Sequence, residues 1–349
     1  MTDLTQLLTV KALATQLLRR GTPLDAVIWN AGIPGWTGID WPRAIWHMCT
    51  DLVHACTYPD FNLVDVGLRA PPQTPRHKGA GATTNTTTTT TDDEPALGQV
   101  FLANVFGHYL LTHWLAPLFT PSSRLIWISS VSALPHSLDL ADPQCLRSRT
   151  PYEGTKRLTD LLALTSALPS TAPYTARFLG PAKPPMLVAH PGVVATSISG
   201  LGWFLRACML LAFWAARLLG SPWHAGDPYK GAIAAVFLAL APYEQLLGRE
   251  AREGKGKWGS ATDVWGQERV ARTEVEGWGY GGVVGRVPPG CVVSRSVWTG
   301  RHRGWRETTR EGRERFEEEG RRVWAEMEEL RGVWEARLGP VGVEESEEM

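Results

Sequence analysis

The sequence predicts an α/β protein with a doubly wound parallel sheet, and three features of its pattern support this. Short apolar runs rich in β-branched residues, typical of buried strands, alternate with longer stretches whose apolar residues recur every three or four positions. Small or polar residues directly follow the apolar runs. Because ligands bind at the carboxyl ends of the strands in such sheets, these strand ends form the expected site.

The N-terminal part of the chain contains one predicted helix and one predicted strand. Apolar residues recur at helical spacing over residues 5–20, and a glycine follows, as is typical of a helix C-terminus. Residues 24–30 form an apolar run that ends in a small polar turn. A further helix is predicted around 41–54. The polar, low-complexity stretch 71–95 has nothing to bury, so we predict a disordered surface insertion there.

Further helices and strands complete the predicted fold. A long amphipathic helix precedes the apolar strand "SRLIWISS", and a helix that starts at Thr150 and Pro151 precedes the strand "PMLVAH". A charged amphipathic helix is predicted at 311–338, where its apolar stripe would dock on the body of the domain. We therefore expect residues 1–245 to form the α/β domain and residues 246–349 to form a C-terminal extension.

Composition and cysteine usage narrow the class of protein. The chain of 349 residues is 44% hydrophobic and 20% charged, as in soluble domains, and its 35 basic residues balance 35 acidic ones. No overall field therefore favours nucleic acid as a partner. The five cysteines are scattered without a CxxC pair, which indicates free thiols in a reducing compartment. The histidines and cysteines at 47–56 match no common zinc spacing, so no metal site is predicted.

Residues 200–220 are the most hydrophobic stretch of the chain, and two interpretations of them remain open. Arg206 and Arg217 interrupt the stretch and leave an apolar centre of about ten residues, which is short of the roughly 20 needed to span a bilayer. On a helix these two arginines would lie within about 20° of each other. The stretch could therefore lie in a membrane surface with both arginines toward the headgroups. Alternatively, it could be a pocket or dimer helix buried in protein.

The sharpest chemical signal is the segment Tyr152-Glu-Gly-Thr-Lys156. Residues four apart lie on one face of a helix, and an ammonium beside a phenol lowers the pKa of the phenol from about 10. A tyrosine tuned in this way can protonate a carbonyl oxygen while a hydride reaches the carbon. A hydroxyl from Ser129 or Ser130, at a neighbouring strand end, could hydrogen-bond the same oxygen.

These motifs, in their order along the chain, resemble the short-chain dehydrogenase/reductases. The matching segments are "NAG", "NVFGHYLL", "ISSVSA", "YEGTK" and "HPGVVAT". The resemblance implies that Tyr152 donates the proton, Lys156 holds the nicotinamide ribose, Ser130 orients the carbonyl, and Asn104 bends its helix around a water linked to Lys156. It also implies contacts with the cofactor from Asp3, Asn30, Ala31, Gly32, Tyr152, Lys156, Pro191, Gly192, Val194 and Thr196.

One branch of that family, the 3-ketosteroid reductases of sterol biosynthesis, is similar over most of the chain. Four features are similar to this branch: the long interval between Ser130 and Tyr152, the insertion before Asn104, the apolar 200–220 stretch followed by "DPYKGAIAAVFLAL", and the segment "KWGSATDVWG". The resemblance implies an NADPH-dependent reductase of sterol ketones, at the cytosolic face of the endoplasmic reticulum or on lipid droplets. As partners it implies a membrane surface and other sterol C4-demethylation enzymes.

The glycine-rich TGxxxGxG loop of that family does not occur before Asn30. In the family "NAG" ends the fourth strand, so we expect a Rossmann-like sheet without its first two strands. Because such a loop holds the cofactor pyrophosphate, we also expect weak NADPH binding and poor solubility of this chain. Two alternatives remain: a short-chain reductase of another lipid carbonyl, and a non-catalytic interaction protein at a membrane surface.

Overall fold

The computed structural model describes residues 2–73, 94–196, 200–293 and 301–342. Its main sheet has five strands in the order β1-β4-β5-β6-β7, parallel except for the last antiparallel pair, and a separate antiparallel pair joins β2 and β3. The strands are β1 (Leu24–Trp29), β2 (Trp36–Ile39), β3 (Asn62–Val64), β4 (Phe119–Ile128), β5 (Met186–His190), β6 (Lys257–Thr262) and β7 (Glu268–Thr273). The predicted α/β class and parallel sheet are confirmed.

Helices cover both faces of the main sheet. They are α1 (Leu7–Arg20), α2 (Trp41–Thr50), α3 (Leu52–Thr57), α4 (Gln99–Phe101), α5 (Gly107–Trp114), α6 (Pro151–Thr165), α7 (Ala172–Leu179), α8 (Trp203–Leu218), α9 (Pro228–Leu240), α10 (Tyr243–Glu253) and α11 (Arg310–Leu338). The predicted insertion at 71–95 falls mostly on 74–93, which lie outside the described residues.

The C-terminal part of the chain belongs to the same sheet and core as the N-terminal part. Strands β6 and β7, which follow the expected boundary at residue 245, extend the sheet beyond β5. Helix α11 packs along α6, where the Trp324 indole donates to the Leu162 carbonyl at 3.2 Å. Tyr109 on α5 donates to Glu328 of α11 at 2.7 Å. At the opposite end of the sheet, β1 pairs with β4 alone.

The long helix predicted before β4 is interrupted at its centre. Residues Leu102–Phe106 form a π-helical turn between α4 and α5, and Asn104 lies in that turn. Turns of this kind often mark functional positions, because the extra residue redirects neighbouring side chains. The deviation therefore lies at a residue that the sequence had singled out.

Helix α8 corresponds to the predicted helix at 200–220 but orients its two arginines differently from the prediction. Arg206 is exposed, whereas Arg217 is buried against the Trp214 ring, 5.8 Å from its centroid. The expectation that both arginines reach the headgroups is therefore wrong for Arg217, which packs into the protein. Among the described residues no individual helix has the length and hydropathy to cross a bilayer; α9 and α10 reach that threshold only together, across a 100° bend.

Candidate active site

A large cavity lies at the carboxyl ends of β1, β4 and β5. Its volume is about 1500 Å³, and its walls come from these strand ends on one side and from α2, α3, α8 and the β2–β3 pair on the other. Most of the outer wall is apolar, with contributions from Ile39, Ala44, Met48, Leu205, Met209 and Phe213. The cavity therefore presents a polar inner wall at the sheet and an apolar outer wall.

Three predicted residues meet at the inner wall. The Ser130 hydroxyl lies beside the Tyr152 phenol and shares a hydrogen bond of 2.9 Å with Ser132 Oγ. Lys156 Nζ lies 5.5 Å from the centroid of the Tyr152 ring. Lys156 donates to the Ile128 carbonyl at 2.8 Å, which ties α6 to the end of β4. Of the two candidate serines, Ser130 contacts Tyr152, whereas Ser129 donates to the backbone carbonyl of Lys156 at 3.2 Å. The inner wall therefore carries the hydroxyls of Tyr152 and Ser130 with the Lys156 ammonium beside them.

Burial dominates the electrostatics of this wall. Desolvation, with a smaller contribution from Glu153, raises the pKa of Tyr152 to about 12, and the Ser130 hydrogen bond opposes this shift. Desolvation and the nearby Lys257 ammonium lower the pKa of Lys156 to about 8, while Asp160 opposes the shift. The expected lowering of the Tyr152 pKa is wrong for this structure, because desolvation of the phenol by burial outweighs the contributions that lower it. Tyr152 is therefore protonated at neutral pH.

Asn104 connects the strand-end turn after β1 to α6. Its side-chain oxygen accepts from Ile33 N at 2.7 Å, and its amide donates to the Ile33 carbonyl at 2.9 Å and to Thr155 Oγ1 at 3.2 Å. A Cβ atom on Gly32 would lie 2.6 Å from Asn104 Oδ1, so only glycine fits there. Asn104 thus fixes the turn that borders the cavity.

The turn after β5 also depends on a glycine. Gly192 has a φ of +71°, and a Cβ atom there would lie 2.3 Å from the Trp223 carbonyl oxygen. Gly192 N donates to His190 Nδ1 at 3.1 Å, and His190 Nε2 lies 2.6 Å from Thr273 Oγ1. Burial holds the pKa of His190 well below its ordinary value, so the ring is neutral and can accept from Gly192.

The structure brings most of the predicted cofactor residues to the cavity, with one exception. The wall includes Asn30, Ala31, Gly32, Tyr152, Lys156, Pro191, Gly192, Val194 and Thr196. Asp3 does not line it; its carboxylate accepts from the backbone and hydroxyl of Thr5, each at 2.8 Å. Within the described residues, no group of three or more histidines, cysteines or carboxylates could hold a metal ion.

Sequence reasoning missed three charged residues around this wall. Lys257, from β6, and Asp160, one turn after Lys156, form a buried ion pair of 2.7 Å behind the site. Glu153 lines the cavity beside Tyr152, and burial raises its pKa to about 7. Glu153 lies within the Tyr-Lys motif and Asp160 lies four residues after it, a proximity in sequence that could have drawn attention to both; Lys257 offers no such signal.

Comparison with known proteins identifies relatives over most of the chain. No protein-family model matches the sequence. The 3-keto-steroid reductase erg27 of Aspergillus fumigatus is 43% identical across 96% of this chain and 76% of its own length. The 3-keto-steroid reductase ERG27 of Gibberella zeae is 37% identical across 90% and 68%, and that of Saccharomyces cerevisiae is 29% identical across 78% and 69%. The chain belongs to the 3-keto-steroid reductase family.

Proposed function

We propose that this chain reduces the 3-keto group of sterol ketones with NADPH at a lipid surface. The observation that carries the proposal is the Ser130–Tyr152–Lys156 wall at the base of a cavity of about 1500 Å³ with an apolar outer side. Ligand cavities commonly have volumes of about 300–1000 Å³, so this one has room for a rigid polycyclic lipid beside a second molecule. The name 3-keto-steroid reductase, which these relatives carry, supports a 3-ketone as the group reduced.

The strand-end turns fit the nicotinamide end of a dinucleotide. Gly32 and Gly192 keep two turns close to the cavity where a Cβ atom would collide with Asn104 or with a backbone carbonyl. Asn30 and Thr196 add polar groups to the wall between them. Lys156 lies in the same wall and would hold ribose hydroxyls. When bound, the nicotinamide supplies a hydride to the carbonyl carbon.

The protein's own groups would then act on the carbonyl oxygen. Ser130 donates a hydrogen bond to that oxygen and orients the carbonyl. Tyr152, which burial keeps protonated, transfers its proton to the oxygen as charge develops there. Lys156, one helical turn further along, stabilises the phenolate that remains. The apolar outer wall excludes water from the reacting group.

Helix α8 supports the location at a lipid surface, in the endoplasmic reticulum or on lipid droplets. Its outer face exposes Trp203, Phe204, Leu211, Trp214 and Leu218, at 55–83% of their accessible area. Its inner face, through Leu205, Met209 and Phe213, lines the cavity. One helix would therefore touch lipid on one side and the substrate on the other.

Turnover of a 3-keto sterol by the purified 349-residue chain tests the proposal, with NADPH or NADH at concentrations high enough to offset the weak binding expected without the glycine-rich loop. We expect the 3-hydroxy product by mass spectrometry, and faster turnover with NADPH. Tyr152→Phe should reduce the rate at least about 100-fold, the lower range for a positioned proton donor. Tyr229→Phe, at an exposed tyrosine outside the cavity, is the matched control. Undiminished reduction by the Tyr152 variant, or reduction of other lipid ketones but no sterol, would contradict the proposal.

A further inference from the structure

We propose that the buried Lys257–Asp160 pair is a positioning device that holds Ser130 against Tyr152. The inference rests on the proposed function, since it concerns how the same wall is kept in its reactive shape. Neither residue lines the cavity, so neither touches the substrate. Their role would be exerted through the backbone of Ser130.

The contacts of Lys257 join three elements at one point. Its Nζ donates to the Ser130 carbonyl at 2.6 Å and to Asp160 Oδ2 at 2.7 Å. Lys257 belongs to β6, Ser130 follows β4, and Asp160 lies on α6, one turn after Lys156. The ammonium therefore fixes the distance between the turn after β4 that carries Ser130, here called the serine turn, and α6, which carries Tyr152.

The serine turn has a second ammonium contact that the reaction would interrupt. Lys156 Nζ donates to the Ile128 carbonyl, two residues before the carbonyl held by Lys257. Lys156 is also the group that would hold ribose hydroxyls. If it turns toward them, its contact with β4 weakens, and Lys257 then remains as the ammonium that holds the turn.

Stability alone does not account for this pair. Lys257 is 3% exposed and Asp160 is fully buried, and Asp160 Oδ1 has no hydrogen-bond donor among the described residues. Desolvation of two buried charges often exceeds their attraction, and apolar replacements of the whole pair are frequently neutral or stabilising. Burial lowers the pKa of Lys257, and the Asp160 carboxylate opposes that shift. The carboxylate thus favours the charged form of the donor to Ser130.

A double variant separates positioning from stability. Lys257→Met with Asp160→Leu removes both charges at similar side-chain volume, so its thermal midpoint should stay at or above that of the unmodified chain. We expect kcat for the sterol ketone to fall about 10- to 100-fold, because the Ser130 hydroxyl loses its fixed position. KM should change less than about threefold, since no cavity residue is altered.

A matched control removes a second ion pair that involves α6, between Arg157 and Glu319. Arg157 on α6 contacts Glu319 of α11 at 3.6 Å and the Glu276 carbonyl at 3.1 Å, and neither contact involves Ser130. Arg157→Met with Glu319→Gln should leave kcat within about threefold. Asp160→Asn, which retains an acceptor for Lys257, should lose less activity than the double variant. An equal or larger loss in the asparagine variant would contradict positioning.

Hydrogen exchange provides a readout that needs no turnover. The Ser129 amide donates to Ala189 and the Ser132 amide donates to Ser130 Oγ. In the double variant these amides should exchange about tenfold faster, while amides of α11 remain unchanged. Unchanged exchange and kcat, or a raised KM with kcat intact, would overturn the inference. If the unmodified chain reduces no sterol ketone but the exchange increases as expected, the proposed function fails and the positioning role stands.

Discussion

Helices α6 and α8 have similar lengths but opposite relations between composition and burial. Thirteen of the 15 residues of α6 are buried, among them Lys156, Arg157 and Asp160, whereas only three of the 16 residues of the far more apolar α8 are buried. These three buried charges on α6 are tolerated because each meets an acceptor or an opposite charge across the fold. The comparison shows that position in the fold, rather than composition, decides burial on α6, whereas α8 leaves apolar side chains exposed.

The largest expected effect comes from a substitution on α11, the helix that covers one side of α6. Trp324 is fully buried on α11 and donates to the Leu162 carbonyl. Trp324→Ala should lower the free energy of unfolding by about 3–5 kcal/mol, because it opens a cavity and leaves a carbonyl without its donor. Chemical denaturation measures this, with Trp265→Ala, an 84% exposed tryptophan, as the control. A loss below about 1 kcal/mol would show that α11 does not cover α6 in solution.

The second effect concerns the uncovered side of α8. Leu211→Ser with Trp214→Ser should lower binding to phospholipid vesicles about 10- to 100-fold, because two apolar side chains no longer enter the interface. The free energy of unfolding should change by less than about 1 kcal/mol, since both residues are exposed. Leu8→Ser with Val333→Ser removes two exposed apolar side chains from α1 and α11 and should leave flotation with vesicles unchanged. Equal loss in both pairs would contradict a specific role of α8.

The smallest effect comes from Glu153 on α6, a carboxylate whose pKa is not lowered by any nearby cation. Burial raises the pKa of Glu153 from 4.5 to about 7, so the folded state binds this proton more tightly than the unfolded chain does. Stability from this group is therefore present below pH 4.5 and decreases as the pH rises through 7. Glu153→Gln should stabilise the protein by about 1–2 kcal/mol at pH 8 and by almost nothing at pH 4.

Thermal midpoints at both pH values measure this difference. Glu244→Gln is the control, because Glu244 occupies the first turn of α10 but is exposed. A destabilisation by Glu153→Gln at pH 8 would show that the carboxylate makes a favourable contact, and would remove this contrast between α6 and the surface helices.

Local patterns sufficed for much of the fold. The apolar runs at 24–30 and in "PMLVAH" and the 3.6-residue period of 311–338 predicted β1, β5 and α11. Strand β6 escaped the same reasoning, since "KWGSAT" mixes a lysine and a serine with apolar residues and yet is buried throughout. Its lysine is satisfied by Asp160, 97 residues away, and no local pattern encodes such a partner.

The site shows the same division between local and distant information. Tyr152 and Lys156 could be paired from their four-residue spacing alone, and Ser130 from its place at the end of an apolar run. The pKa of Tyr152 could not be anticipated, because it depends on how deeply the phenol is buried and on the direction that Lys156 takes. Both depend on the packing of β4 against α6.

The packing of α11 on α6 has a consequence for how the chain acquires its shape. The hydrogen bonds that join α11 to the body span 162 residues, from Trp324 to Leu162, and 219 residues, from Glu328 to Tyr109. During synthesis, at about 5–20 residues per second, α6 leaves the ribosome many seconds before its cover exists. Closing such long loops also slows folding. The apolar side of the catalytic helix is therefore exposed in the nascent chain for that interval, and chaperones would have to shield it.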